Sequence, residues 1–368
     1  MNFIPFVFAF VLTAFLTFSA VKFFPQWGLL DSPEKYGLKR APIPYFGGIA
    51  IFIGFITAAL IFLPLSREVL SLLVGVVLLT AVSFLDDAFR LPPLVRLFFQ
   101  IIAAGILVVG GVGITHLTNP FGGVIDLVAF DWNLGFGGAQ YHFTLLADLF
   151  TVAWVLLLTN SLNWLDGVPG LSSGIAGLAA LVIFFLAART GFHYFDQSAV
   201  IALAGILAGA ALAFTIFNFP PPRILLGDSG SMLLGFVLAA LAVFSGGKIA
   251  TAALVLGFPL LDAVWVILRR IFSGQSPFHG DFGHLHHRLL AAGFSERKTV
   301  LAVYLASAAF GSIALFIDDS FGKLLALGGL FVVMLGVGWR LRGIKLKKLT
   351  GSLICKLYKQ YLQWHLIF

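Results

Sequence analysis

The chain has 368 residues, of which 60% are hydrophobic and 11% charged, with a mean hydropathy of +1.02 and a formal net charge of +7. Soluble domains carry about 25% charged residues, so a soluble globular protein is excluded, and apolar runs of about 20 residues exclude the short alternating strands of a membrane β-barrel. The excess of Lys and Arg fits the inward loops of a polytopic α-helical membrane protein rather than a nucleic-acid surface, and the single cysteine, Cys355, provides neither an intramolecular disulfide nor a metal site.

Apolar runs fall at 3–24, 46–65, 69–86, 94–116, 144–161, 172–189, 198–217, 231–246, 249–268, 299–317 and 322–341, which predicts an all-α bundle of eleven transmembrane helices in the lipid bilayer. No basic residue precedes the first run and Lys22 stands at its far end, the pattern of an uncleaved first span rather than a signal peptide. With the N-terminus outside, all but four of the 23 Lys and Arg residues (Arg67, Arg189, Lys248 and Lys323) fall on the inner side, as the positive-inside rule requires. The outer segment 117–143 has no Lys or Arg and is rich in Gly and aromatic residues, so a short hairpin or a re-entrant piece capping the bundle is expected there. Residues 1–344 are expected to form one membrane domain. The basic, then amphipathic tail 345–368 is expected to lie as a helix on the anionic inner leaflet.

Chemistry concentrates on the inward side. In loop 25–45, prolines stiffen the chain, and Lys35, Lys39 and Arg40 either pair with phosphate oxygens or simply set topology. The third run ends in Asp86-Asp87. A charge at membrane depth costs roughly 2.5–3.5 kcal/mol on insertion scales, and adjacent carboxylates repel unless a cation or a shared proton intervenes. A positive partner is therefore expected beside them.

The fifth run ends in Asn160, Asn163 and Asp166, spaced i, i+3, i+6 and so sharing one broad helix face. That face suits a polar ligand or the outer shell of a metal, and equally an interhelical polar contact. Next, Asn218 and a proline run lead to Gly227-Asp228-Ser229-Gly230-Ser231 at a helix start, where backbone N–H groups favour phosphate. Asp228 would repel phosphate unless a divalent cation lay between them, and Mg²⁺ typically takes one or two carboxylates plus substrate phosphates; the alternative is an ordinary N-cap. The loop 269–298 carries His279, His284, His286 and His287 among Arg269, Arg270 and Arg288. Their spacing is not that of a zinc-binding HExxH helix; contacts to phosphate or sugar are expected, with a zinc site as the alternative.

Five segments, in order and on one membrane face, carry a resemblance. They are Asp31-x-Pro33…Pro42-x-Pro44-x-x-Gly47-Gly48, Asp86-Asp87, Asn163-x-x-Asp166-Gly167, Gly227-Asp228-x-Gly230-Ser231, and Ser276-Pro277-Phe278…Asp281-x-x-His284-x-His286-His287. Together they resemble the polyprenyl-phosphate N-acetylhexosamine-1-phosphate transferases, and the last segment resembles the N-acetylglucosamine-1-phosphate branch. The resemblance implies ten or eleven helices, dependence on Mg²⁺ or Mn²⁺, and transfer of a sugar-1-phosphate from a UDP-sugar donor to undecaprenyl phosphate with release of UMP. It implies a bacterial cytoplasmic membrane, a product that starts a cell-surface glycan, and is compatible with a homodimer.

Residue by residue, the resemblance implies Asp228 as a metal ligand, with Asp86 or Asp87 activating the lipid phosphate and Asp87 helping to hold the metal. Asn163 and Asp166 would line the nucleotide–metal pocket, with Lys39, Arg40, Asn160 and Asn218 as further substrate contacts. His284, His286, His287 and Arg288 would contact the phosphates or the sugar. Two departures stand out: Pro169 occupies the place of a second carboxylate after Asp166-Gly167, and Lys39 stands about where a histidine is usual. The competing readings are a transferase acting on phospho-N-acetylmuramoyl-pentapeptide or a diacetylated sugar, and an ion-coupled secondary transporter. A transporter would place its acids near mid-bilayer on broken helices, with a matching set outside.

Overall fold

The computed structural model describes residues 2–33, 40–128, 131–136, 139–189, 197–245, 249–274, 283–317 and 319–341. Its helices in chain order are α1 (Ile4–Phe23), α2 (Gly48–Phe62), α3 (Arg67–Phe89), α4 (Pro93–Val109), α5 (Leu145–Leu165), α6 (Leu171–Ala187), α7 (Ser198–Asn218), α8 (Asp228–Phe244), α9 (Ile249–Val255), α10 (Gly257–Phe272), α11 (Leu285–Ala291), α12 (Glu296–Phe316) and α13 (Ser320–Arg340). Six are long and apolar enough to cross a membrane: α1 with the 3₁₀ turn that follows it, α3, α5, α7, α12 and α13. Helices α2, α4, α6 and α8 are shorter and also apolar. The chain is a polytopic helical membrane protein, and the tail 345–368 lies outside the described residues.

Every predicted apolar run is helical, and the departures in extent have local causes. The run 94–116 stops at Val109 because Gly110 and Gly111 follow, the latter at φ +93°, a conformation open mainly to glycine. The run 249–268 is two helices rather than one. Pro259 has no N–H and its ring would clash with the carbonyl four residues back, so α9 ends at Val255 and α10 restarts with the proline in its first turn. The run 231–246 begins earlier, at Asp228, for a reason that belongs to the site.

The expectation of an all-α chain needs one addition. The segment between α4 and α5 forms two antiparallel hairpins, β1 (His116–Thr118) with β2 (Val124–Asp126), and β3 (Asp131–Phe136) with β4 (Ala139–Thr144). His116 pairs with Asp126 and Trp132 with Phe143 in their registers.

Helix α8 is the hub. It is apolar all round, every residue from Ser229 to Val243 is buried, and α2, α3, α5, α6 and α7 surround it. Lipid offers no hydrophobic drive for helices to associate, so close packing of small residues does that work. At the α2–α8 contact Gly48 faces Gly230, and a β-carbon on Gly48 would lie 2.2 Å from the Gly230 nitrogen. The α1–α7 contact is built the same way, with Gly209 against the Phe6 carbonyl oxygen.

Gly48→Ala is therefore expected to push α2 off α8 and destabilise the protein by about 1–3 kcal/mol. Gly328→Ala on α13, where a β-carbon would meet nothing within 4 Å, should change stability by less than about 0.5 kcal/mol. Thermal unfolding of both variants in the same detergent checks the contrast.

Candidate active site

Four helix ends meet at one end of the bundle: the C-termini of α3 and α5 and the N-termini of α4 and α8. The backbone of the first loop is sewn to the strand of chain that precedes α8. Leu225 N–H donates to Pro44 O at 2.9 Å, Gly47 N–H to Leu225 O at 2.9 Å, and Gly48 N–H to Leu226 O at 2.8 Å. These bonds bring Tyr45 over the end of α3.

Asp87 is the joint. Its Oδ1 accepts the Asp228 N–H at 2.9 Å and its Oδ2 accepts the Ser229 N–H at 3.1 Å, while Tyr45 donates its hydroxyl to Oδ1 at 2.8 Å. The first N–H groups of a helix have no partners within the helix and carry a partial positive charge. Here a carboxylate from another helix supplies what an N-cap side chain would, and α8 starts at Asp228. Burial, and after it the charge of Asp87, raises the Tyr45 phenol far above its ordinary range, so it remains an O–H donor.

Asp86 and Asp228 are joined by Arg96, whose Nη1 donates to Asp86 Oδ2 at 2.9 Å and to Asp228 Oδ2 at 3.1 Å. Asp86 Oδ1 also accepts the Leu91 N–H at 2.7 Å, and Asn163 donates to Asp228 Oδ1 and to the Ser231 hydroxyl, both at 3.0 Å. Side-chain exposure separates the two acids: 8% for Asp86 and 31% for Asp228, so Asp228 is the one a ligand can reach. Asp166, one turn beyond Asn163, has a buried Oδ1 with no hydrogen-bond partner among the described residues. Burial, then the charges of Asp228 and Asp87, pushes its carboxyl well above the usual range.

The histidines form a second cluster against the first. Asp262, an acid inside α10, accepts His284 Nδ1 at 2.8 Å and the Leu285 N–H at 2.9 Å. The His284 ring packs on Trp164 with centroids 5.7 Å apart, and on His286 at 5.5 Å. His287 lies against Gly167, where a β-carbon would come within 3.0 Å of Cε1. Burial, then His287 and His284, pushes His286 well below its ordinary value, so it is neutral. Trp164 and Gly167 flank Asp166, and this joins the histidines to the carboxylates.

The structure thus brings together Asp86, Asp87, Asn163, Asp166 and Asp228, with His284, His286 and His287 beside them. Other expected substrate contacts are spent on the fold. Arg40 pairs with Asp31 and bonds the Ala41 carbonyl, closing its own loop. Asn160 exchanges hydrogen bonds with Gln100 (2.9 and 3.3 Å). Asn218 accepts the Gly170 N–H at 2.6 Å and donates to Ile224 O at 2.8 Å, tying two loops together. Arg288 donates to Gly283 O at 3.0 Å. Lys39, His279 and Asp281 lie outside the described residues.

Tyr45, Arg96 and Asp262 were not singled out from sequence. Arg96 counts there as one more inward cation and Tyr45 as one more loop aromatic. Asp262 carried a usable signal, since an acid within an apolar run marks a functional position by default.

The donor set fits a hard divalent cation. It is all carboxylate and amide oxygen, its charge exceeds what Arg96 neutralises, and Asp166 offers an orphaned oxygen. Among the described residues no three acids or histidines converge closely enough to cage a metal alone. That is compatible with Mg²⁺, which usually shares one or two carboxylates with substrate phosphates.

Comparison with known proteins agrees with this chemistry. The glycosyl transferase family 4 pattern matches residues 69–246, a stretch from α3 to α8 that holds the carboxylates and Asn163. The chain is 31% identical to a decaprenyl-phosphate N-acetylglucosaminephosphotransferase of Mycolicibacterium smegmatis, over 85% of this chain and 81% of the relative. It is 28% identical to the undecaprenyl-phosphate alpha-N-acetylglucosaminyl 1-phosphate transferase of Escherichia coli, over 84% and 82%. A probable undecaprenyl-phosphate N-acetylglucosaminyl 1-phosphate transferase of Bacillus subtilis is 27% identical over 80% and 78%. With its carboxylates gathered where helix ends meet, the chain belongs to glycosyl transferase family 4, as a membrane phosphotransferase of the polyprenyl-phosphate N-acetylhexosamine-1-phosphate transferase family.

Proposed function

We propose that the protein transfers N-acetylglucosamine-1-phosphate from its UDP-sugar to undecaprenyl phosphate, forming the lipid diphosphate sugar and releasing UMP. The observation that carries this reading is Asp228. It is held at the buried N-terminus of α8 by Asp87, Arg96 and Asn163, yet is open to ligand at the end of the bundle. The names of the relatives support the polyprenyl acceptor and the sugar. In this reading eleven spans cross a bacterial cytoplasmic membrane, α9 and α10 forming one broken span, with the N-terminus outside and the site on the inner face. Residues 1–344 are then the membrane domain and 345–368 an inner-surface tail.

An acceptor confined to the bilayer and a charged, water-soluble donor meet only at such a boundary. The acceptor phosphate oxygen attacks the β-phosphorus of the donor, the bond from that phosphorus to the oxygen bridging to the α-phosphorus breaks, and UMP leaves with that oxygen. Asp228 would hold Mg²⁺, with Asp166 and the lone pair that Asp87 does not spend on α8 and Tyr45. When bound, the cation supplies charge neutralisation for the diphosphate. Arg96, held between Asp86 and Asp228, offers further N–H donors to the acceptor phosphate. The Asp86–Arg96 pair keeps that donor at the site as the negatively charged acceptor arrives. Carboxylates so engaged are poor nucleophiles, which favours direct attack over an aspartyl-phosphate. The histidines would contact the sugar and phosphates from the side of Trp164. A transporter is disfavoured because the acids gather at helix ends rather than at mid-bilayer.

Purified protein with undecaprenyl phosphate, Mg²⁺ and a panel of UDP-sugars is expected to release UMP, most rapidly with UDP-N-acetylglucosamine. No UMP from any sugar with folded protein would refute the reading, and chelation of divalent cations should stop the release reversibly. Asp228→Asn is expected to lose at least about 10²-fold in rate with its unfolding midpoint near wild type. Asp87→Asn should lose a similar factor and also about 1–2 kcal/mol of stability, because α8 loses its charged cap. Parallel rate and melting measurements separate the two roles.

A further inference from the structure

Asp262 is a charged residue inside the otherwise apolar first half of α10, 3% exposed, and the reaction as described makes no use of it. Its two oxygens do different things. Oδ1 accepts the Leu285 N–H at 2.9 Å and anchors the start of α11; Oδ2 accepts His284 Nδ1 at 2.8 Å. The first contact would suffice to dock α11. The second adds an orientation that docking does not need.

A carboxylate accepts hydrogen bonds and does not donate them, so the contact places the hydrogen of His284 on Nδ1. The other nitrogen, Nε2, is then the face the ring presents, and among the described residues it has no hydrogen-bond partner. Ring position is fixed as firmly as the tautomer. Trp164 packs on the His284 ring from one direction and His286 from another, at 5.7 and 5.5 Å between centroids. His286 Nδ1 stands 3.9 Å from the same Asp262 oxygen, too far for a hydrogen bond, and among the described residues neither nitrogen of His286 is bonded. Asp262 therefore addresses His284 alone. Trp164 follows Asn163, which donates to Asp228, so the ring held by Asp262 borders the carboxylate site.

We propose that Asp262 is a positioning residue for the transferase: through Nδ1 it fixes the tautomer and direction of His284, so that Nε2 is aimed at the donor's sugar-phosphate. This rests on the function proposed above. Groups that orient a metal-ligating imidazole through its far nitrogen typically change activity by about 10–100-fold when replaced, and the same order is expected for an imidazole oriented toward phosphate.

Asp262→Asn separates the two contacts. The amide oxygen still accepts the Leu285 N–H, but the amide N–H₂ then meets Nδ1 and favours the opposite tautomer. The expected result is a loss of about 10–100-fold in kcat/KM for UDP-sugar with an unfolding midpoint close to wild type. Combining Asp262→Asn with His284→Gln should be no worse than His284→Gln alone, because the carboxylate acts through that ring. Two-bond ¹⁵N–¹H spectra of histidine-labelled protein, with His284→Gln to assign the signal, should show the Nδ1–H form in wild type and its loss in Asp262→Asn. Full activity in Asp262→Asn, losses that multiply in the double variant, or an unchanged imidazole spectrum would each overturn the proposal. If wild type itself releases no UMP, the transferase reading falls, and the spectrum still decides whether Asp262 sets the tautomer.

Discussion

The clasp between Asp87 and the first turn of α8 is the interaction on which the rest of the site depends. A helix starting inside a membrane protein brings N–H groups with no partner in the helix itself, each expensive to bury unpaired. Asp87 satisfies the first two of α8 and is itself steadied by Tyr45. Because α8 is also the hub against which α2, α3, α5, α6 and α7 pack, the same contact that fixes its origin fixes Asp228 relative to every neighbouring helix end. Folding and the placement of Asp228 are one event here.

Charge follows from that geometry. Asp86, Asp87, Asp166 and Asp228 gather in one place, and among the described residues the positive charge bonded to them is that of Arg96, beside the partial charge of the α8 N-terminus. Arg96 reaches two of the four acids directly. In the proposed function the remaining negative charge would be met by a divalent cation and, through it, by phosphates that the acids alone would repel. In the proposed reaction no bond to carbon forms, so positioning and neutralisation would carry it, as is general for displacements at phosphorus.

Much of this was readable in the sequence, and the parts that were not share a physical cause. Apolar length sets helix positions, so each apolar run coincides with helix; the differences in extent fall where Gly111 and Pro259 stop a helix that hydropathy alone would continue. The motif residues were legible because each carries a polar group into an apolar setting. Their partners were not, because pairing is a matter of three-dimensional reach. Arg96 looks like topology, Tyr45 like a loop aromatic, and Asp228 like its own helix cap until Asp87 is seen to do that work. Arg40, Asn160 and Asn218 went the other way: their side chains have the right chemistry for substrate but are committed to Asp31, Gln100 and the Gly170 backbone.

The central claim is that the protein breaks the donor between its two phosphorus atoms and carries the β-phosphate to lipid. Donor labelled with ³²P in the β-phosphate tests this most directly. Incubated with the protein, undecaprenyl phosphate and Mg²⁺, its label is expected to move into the organic phase with the lipid, leaving unlabelled UMP in water. Label that stays in the aqueous phase as UDP, while sugar alone passes to lipid, would contradict the account.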